Sequence, residues 1–213
     1  MPELLSITSL RQTAPERVSI ALSSGEEISS TVGVVADLRL YRGQELDEGR
    51  LEEIRNASAL ALLKTKALEI LSRRPLSAKE LNDKLIQKGA DPKSAAACVR
   101  WLLDQRLLDD ESYAAAVARH YAARGYGPGR IRQELSRRGV PRDYWDEALG
   151  QRPDNTEKID KLIAARLHDP DNRDEVRKVT AALFRRGFGW DEIRAAWARY
   201  GSGTAEEEEG GYL

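Results

Sequence analysis

The stretch that decides the fold is RPLSAKELNDKLIQKG, residues 74–89. Pro75 cannot continue a helix, so it ends the Ala-, Leu- and Lys-rich run Ala57–Arg73 before it. Ser77, Ala78, Lys79 and Glu80 then form an S-x-x-E capping box, and a new helix is expected from Ser77. Leu81, Leu85 and Ile86 lie on one face of it, which gives the helix an apolar side to bury. Gly89 supplies the stop, since glycine takes the left-handed conformation at a helix end without strain. Beyond it, Pro92 suits a first helical turn, and Val99, Leu102 and Leu103 give the next helix its stripe.

The same grammar returns further along the chain. Arg74-Pro75-Leu76, Leu81 and Leu85 align at an offset of 50 with Arg124-Gly125-Tyr126, Ile131 and Leu135, as do Lys88-Gly89 and Arg138-Gly139. A second offset of 62 takes Arg124-Gly125-Tyr126, Ile131 and Leu135 to Arg186-Gly187-Phe188, Ile193 and Trp197. We read three tandem copies of one helical unit, with the extra length of the longer offset placed in the Pro-, Asp- and Asn-bearing loops at 151–156 and 168–173. Each copy holds three helices, and because one copy cannot cover its own apolar stripe, neighbours must stack. The expected fold is mainly α: three tandem three-helix repeats in an elongated, curved body with a small N-terminal β-hairpin and helix extension. The boundaries follow as 1–55 for the extension, 56–108, 109–152 and 153–200 for the repeats, and 201–213 for an acidic, disordered tail. Within the extension, Arg17–Leu22 alternates as a strand, Ser23-Ser24-Gly25 turns, Glu26–Val32 returns, and Val34–Leu40 is a short helix. Asp47 has the chemistry to cap a helix beginning near Glu48.

Charge is segregated along the chain. The net charge is −1, but residues 1–55 hold 6 Lys and Arg against 10 Asp and Glu, residues 56–200 hold 28 against 21, and the tail carries Glu206–Glu209. A basic body between acidic ends can address an anionic partner, although solvated helices also carry such charge. Cys98 is the one cysteine, so an intramolecular disulfide is excluded. With no leader pattern and no apolar run long enough to span a bilayer, a soluble protein without a recognisable export signal is expected, with no membrane partner, and the lone cysteine fits a reducing cytoplasm.

The residues that usually carry chemistry are sparse. His120 and His168 are the only histidines, 48 positions apart, so neither a catalytic pair nor a metal-ligand spacing is expected, and no cofactor. Gly125-Tyr126-Gly127-Pro128-Gly129 opens a helix and could cradle an anion, but its place among the repeat breakers favours a simple inter-helix turn. Asp109-Asp110 suits a helix start. Tyr113, Tyr121, Tyr126, Trp101, Trp145 and Trp197 read as packing anchors rather than stacking platforms. The strongest binding signal is Arg119, Arg124, Arg130, Arg132, Arg137 and Arg138. With Ile131 and Leu135 pointing inward, Arg130, Arg132, Arg137 and Arg138 are expected to fan across the exposed side. Arginine pairs in bidentate fashion with phosphate or carboxylate, so DNA backbone and an acidic protein patch both fit, beside a merely solvated face.

Taken in order, several segments resemble the RecX family of RecA modulators. They are Leu76-Ser77 with Glu80-Leu81, Leu85 and Lys88-Gly89; Arg106-Leu107-Leu108-Asp109-Asp110 with Tyr113-Ala114; Gly127-Pro128-Gly129-Arg130-Ile131 with Glu134-Leu135 and Gly139-Val140; and Arg185-Arg186-Gly187-Phe188 with Ile193. The resemblance covers about residues 56–200. It implies a cytoplasmic, non-enzymatic protein that binds RecA and its nucleoprotein filament and suppresses filament growth, ATP hydrolysis, strand exchange and coprotease activity; a monomer is expected, separately from the resemblance. It also implies weak binding of single- or double-stranded DNA in some members. It carries no catalytic residues and no contact list, so the arginines above rest on charge and helix geometry alone. A helical module acting directly on DNA is the alternative, and the acidic tail is read either as a brake on the arginines or as a solubility device.

Overall fold

The computed structural model describes residues 4–209, with side chains through Gly201. Contacts divide the chain into two units, one of residues 1–76 and 81–108, the other of residues 77–80 and 109–213.

The first unit opens with β1 (Leu5–Ala14), β2 (Arg17–Leu22), β3 (Glu27–Thr31), α1 (Val32–Asp37) and β4 (Glu45–Leu46), and continues with α2 (Glu48–Leu71), α3 (Ala78–Gln87), whose first three residues fall in the second unit, and α4 (Pro92–Asp104). The extension is a four-stranded antiparallel sheet in the order β3-β2-β1-β4, larger than the lone hairpin expected. The β2–β3 pair lies where alternation placed it, with Ile20 opposite Ile28. The sequence reading missed β1 for a physical reason. Its pairing with β2 is irregular between Ile7 and Ser9 and again between Gln12 and Ala14, and only Ile7 on it is buried. Such irregularities break the period-2 signal.

Asp47 caps α2, its carboxylate accepting the Arg50 N–H at 2.7 Å. This helix is continuous through Asn56, so the compositional change there marks no break in the chain path. Leu51 and Ile54 join the sheet core of Ile7, Val18, Ile20, Leu22 and Ile28. Ser58, one turn on, donates to buried Ser30 at 2.8 Å. Ala67 and Ile70 are buried further along the same helix.

The second unit contains α5 (Asp110–Ala123), α6 (Pro128–Arg137), a 3-10 turn (Arg142–Tyr144), α7 (Trp145–Gly150), α8 (Thr156–Ala164), α9 (Arg173–Arg185) and α10 (Trp190–Glu209). Each trio encloses its own core. One holds Tyr113, Val117, Ile131, Leu135 and Leu149; the other holds Ile159, Ile163, Leu183, Phe188 and Ile193. α10 continues through Glu209, across most of the segment read as a disordered tail, since Ala and Glu are strong helix formers. Residues 210–213 lie outside the described residues.

The repeat register needs one correction. Gly89, Gly139 and Gly187 all follow the middle helix of a trio and all have positive φ, at 94°, 68° and 86°. The offset from the second to the third is therefore 48, and Leu81, Ile131 and Val179 become equivalent, as do Leu85, Leu135 and Leu183. All six are buried. The 62-residue alignment had paired the turn after a first helix with the turn after a middle helix. A basic residue, a glycine and an aromatic occur at both (Arg124-Gly125-Tyr126 and Arg186-Gly187-Phe188), and the short motif cannot tell them apart.

With this register, one junction appears twice inside the second unit. Ser77, at the head of α3, donates from Oγ to the Arg138 carbonyl at 2.5 Å, and Lys79 packs against Gly139. Gly127, at the head of α6, donates from its N–H to the Arg186 carbonyl at 2.8 Å, and Gly129 donates to Gly187 at 2.8 Å. The start of one middle helix is thus seated on the glycine that ends the next. A Cβ on Gly127 would lie 2.5 Å from the Gly187 carbonyl oxygen and the Phe188 nitrogen. Gly127→Ala should destabilise the fold by about 2 kcal/mol or more through backbone displacement, read from urea unfolding. Gly150→Ala, where a Cβ would meet nothing within 4 Å, should change stability by less than about 0.5 kcal/mol.

Candidate functional site

The expected arginine face is built on α6 and the end of α5. α6 begins at Pro128, whose missing N–H costs nothing in a first turn, and Ile131 and Leu135 anchor it inward. Arg130 and Arg132 project outward. The Arg130 guanidinium donates to Gln133 at 3.2 Å, and Arg132 lies 3.7 Å from an almost fully exposed Asp146. Arg137 is 69% exposed while still gripping Glu134.

Arg138 departs from the expected fan. It shares the inward face with Ile131 and Leu135 at i+7 and i+3, and it turns into the unit rather than out of it. Its Nε donates to Glu134 at 2.7 Å, its Nη1 donates to the Tyr113 hydroxyl at 2.5 Å, and Glu80 lies 3.6 Å away. The Tyr113 hydroxyl in turn donates to Glu80 at 2.7 Å. Glu80 and Ser77 complete the reciprocal capping box read from the sequence, each accepting the other's backbone N–H at 3.1 Å. Asp110, nearly buried, accepts the Ala78 N–H at 2.8 Å. Burial pushes its carboxyl above the ordinary range. This cluster is a structural clamp on the head of α3.

Glu134 is the functional neighbour that the list of arginines left out. It is 4% exposed and accepts from Arg137 at 2.6 and 3.0 Å as well as from Arg138. The Arg137 hydrogen bond, joined by those of Arg138 and Tyr121, holds its carboxyl down at about 2 despite burial. The signal was available. Glu134 is i+3 from Ile131 and i−1 from Leu135, on the buried side of the wheel.

The remaining arginines do not converge with these. Arg124 caps the end of α5 and is exposed. Arg119 lines a cleft with Glu111, Ser112, Glu147 and Gln151 between α5 and α7. The glycine-rich loop at 125–129 is a turn, because the Gly127 and Gly129 N–H groups that could hold an anion are spent on Arg186 and Gly187. Tyr113, Tyr121, Trp145 and Trp197 pack against the cores, as anchors do. Phe184 and Trp190, which the sequence did not single out, are exposed instead. No described helix is long and apolar enough to cross a membrane.

The fold so built is a series of three-helix domains behind a small antiparallel sheet. Comparison with known proteins gives that class a family. Residues 64–102 match the family model for the first three-helix domain of RecX, and residues 109–149 match that for the second. Regulatory protein RecX of Xanthomonas axonopodis pv. citri (strain 306) is 42% identical over 134 residues, spanning 62% of this chain and 83% of that protein. Regulatory protein RecX of Bacillus subtilis (strain 168) is 30% identical over 170 residues, spanning 76% of this chain and 64% of its own length. A crystal structure of regulatory protein RecX matches with a TM-score of 0.78 at 26% identity, covering 92% of this chain and all of that one. The chain belongs to the RecX family of regulatory proteins.

The Glu134 network makes a signed prediction. A carboxyl whose folded pKa is depressed stabilises the fold above its unfolded pKa near 4.3 and loses that contribution as pH falls towards 2. Thermal melting followed between pH 5 and 2 should show this loss, and Glu134→Gln should flatten it. At pH 7 the same substitution should cost about 2 kcal/mol, the scale of hydrogen bonds to charged groups.

Proposed function

We propose that this chain is a non-catalytic, monomeric regulator of the cytoplasm that binds RecA and its nucleoprotein filament and chiefly inhibits recombinase, ATPase and coprotease activities. The observation that carries the reading is membership in a family whose relatives are named regulatory proteins, over the three-helix domains themselves. What this chain adds is an outward set, Arg130, Arg132 and Arg137, on a short helix held from behind by Ile131, Leu135 and Arg138. Guanidinium groups on a fixed helix suit carboxylates of a protein surface, and many modest contacts can hold a partner without a deep pocket. To shift the filament between states, the regulator must bind one state more tightly than another.

DNA is the second target these arginines suit. α5, the turn at Gly125 and the short α6 set a helix after a tight turn, the arrangement with which helix-turn-helix proteins enter a groove.

The test is ATP hydrolysis by RecA on single-stranded DNA with substoichiometric amounts of the purified protein. Wild type should suppress turnover, and the triple variant Arg130→Ala, Arg132→Ala, Arg137→Ala should need roughly tenfold more protein for the same effect, with weaker salt dependence. Undiminished hydrolysis with wild type present would sink the reading. Nanomolar binding to naked DNA with a steep salt slope, without RecA, would favour the DNA module instead.

A further inference from the structure

We propose that the stacked pair Phe184–Trp190 is a docking surface for an acidic protein partner that offers an apolar side chain beside a carboxylate. The two rings lie 5.5 Å apart and within 6° of parallel, yet Phe184 is 46% and Trp190 56% exposed. Single exposed apolar residues need no explanation, but two adjoining large aromatics form a patch that water solvates poorly.

The pair is also held in place. Phe184 is in the last turn of α9 and Trp190 is the first residue of α10. The turn between them is fixed by Gly187 at φ +86°, packed on the backbone of Arg130, and by buried Phe188 and Ile193. A patch already ordered loses little conformational freedom on binding, which is what a recognition anchor requires.

The rim indicates the partner's charge. Arg177 lies two turns before Phe184 on the same face of α9, Arg185 adjoins it in sequence, and Arg194 lies one turn after Trp190 on α10; all three are exposed. Arg194 is 3.4 Å from Asp191, but both side chains are so open that this pair competes weakly. Tryptophan and arginine around a central apolar contact are the usual composition of a protein-binding hot spot.

Two other occupants fit less well. A polynucleotide would find no free stacking platform, because the two rings already occupy each other's inner faces. A second copy docking face to face would set the same arginines against one another.

The inference rests on the reading above for its test protein, the RecA filament. Wild type and Trp190→Ala should be compared for binding to RecA filaments held on single-stranded DNA with a slowly hydrolysed ATP analogue, for binding to a fluorescent oligothymidylate alone, and for self-association by sedimentation. Because Trp190 is half exposed, the variant should keep its melting temperature within a few degrees. Filament affinity should fall about tenfold or more, while the other two measurements stay as in wild type. Arg177→Glu with Arg185→Glu should weaken filament binding at low salt and less so at high salt.

Equal filament binding by wild type and Trp190→Ala would overturn this inference and leave the regulator reading intact. Wild type that does not bind filaments at all would overturn both. A matching loss of oligothymidylate binding would make the pair a base-stacking platform, and a loss confined to self-association would make it a contact between copies; either result also overturns the proposal.

Discussion

The second unit depends on a left-handed glycine at the end of a middle helix serving as a seat for the head of another. Gly139 and Gly187 lack a side chain where Lys79 and Arg130 must approach, and the positive φ there turns the preceding carbonyl towards its donor. The donor differs between the two junctions, a serine hydroxyl at Ser77 and a backbone N–H at Gly127, but the acceptor is the same carbonyl position, Arg138 and Arg186. A hydrogen bond to a main-chain carbonyl does not require a particular side chain on the residue that owns it. Repeats of this kind can therefore diverge widely in sequence while keeping their stacking.

The clamp on the head of α3 shows how charge is tolerated where hydrophobic packing alone would be expected. Glu134 and Arg138 lie on the inward face of α6, and burying either alone would be costly. The cost is offset because every polar group has company: Glu134 accepts from two arginines, Arg138 serves Glu134 and Tyr113, and Tyr113 serves Glu80. Removing the Arg138 side chain would take one donor from Glu134, which keeps Arg137, and the donor to the Tyr113 hydroxyl, which keeps Glu80, so the clamp would loosen and a structural loss would look like a binding defect in a crude assay. The arginines of α6 therefore divide into those that hold the scaffold and those it presents. Arg137 stands between, tied to Glu134 while remaining largely open to solvent.

The surface a helical scaffold leaves unsatisfied is where side chains remain available to a partner. Two such places stand out, the outward arginines of α6 and the Phe184–Trp190 stack, and each sits beside a glycine-centred junction. The same packing that joins the helices also lowers the freedom of the side chains displayed next to it.

The sequence by itself determined the local elements: the helix starts at Asp47, Ser77 and Asp109, the stops at Gly89, Gly139 and Gly187, the β2–β3 pairing, the apolar stripes of α3 and α6, and the family. These are set by capping, φ preference and periodicity, which act over a few residues and leave their mark in order. Only the tertiary structure decided the rest. β1 needed β2 beside it to be recognised, the true register of the third trio needed its glycine seen against Arg130, and Glu134 and Arg138 changed from surface charges to a buried clamp because Tyr113 and Glu80 come from other helices. Phe184 and Trp190 carry no distinguishing pattern in the sequence, and only the packed turn between α9 and α10 shows them on the outside. The difference is one of range: hydrogen bonds and backbone angles within a turn are written locally, whereas burial depends on which distant side chains arrive.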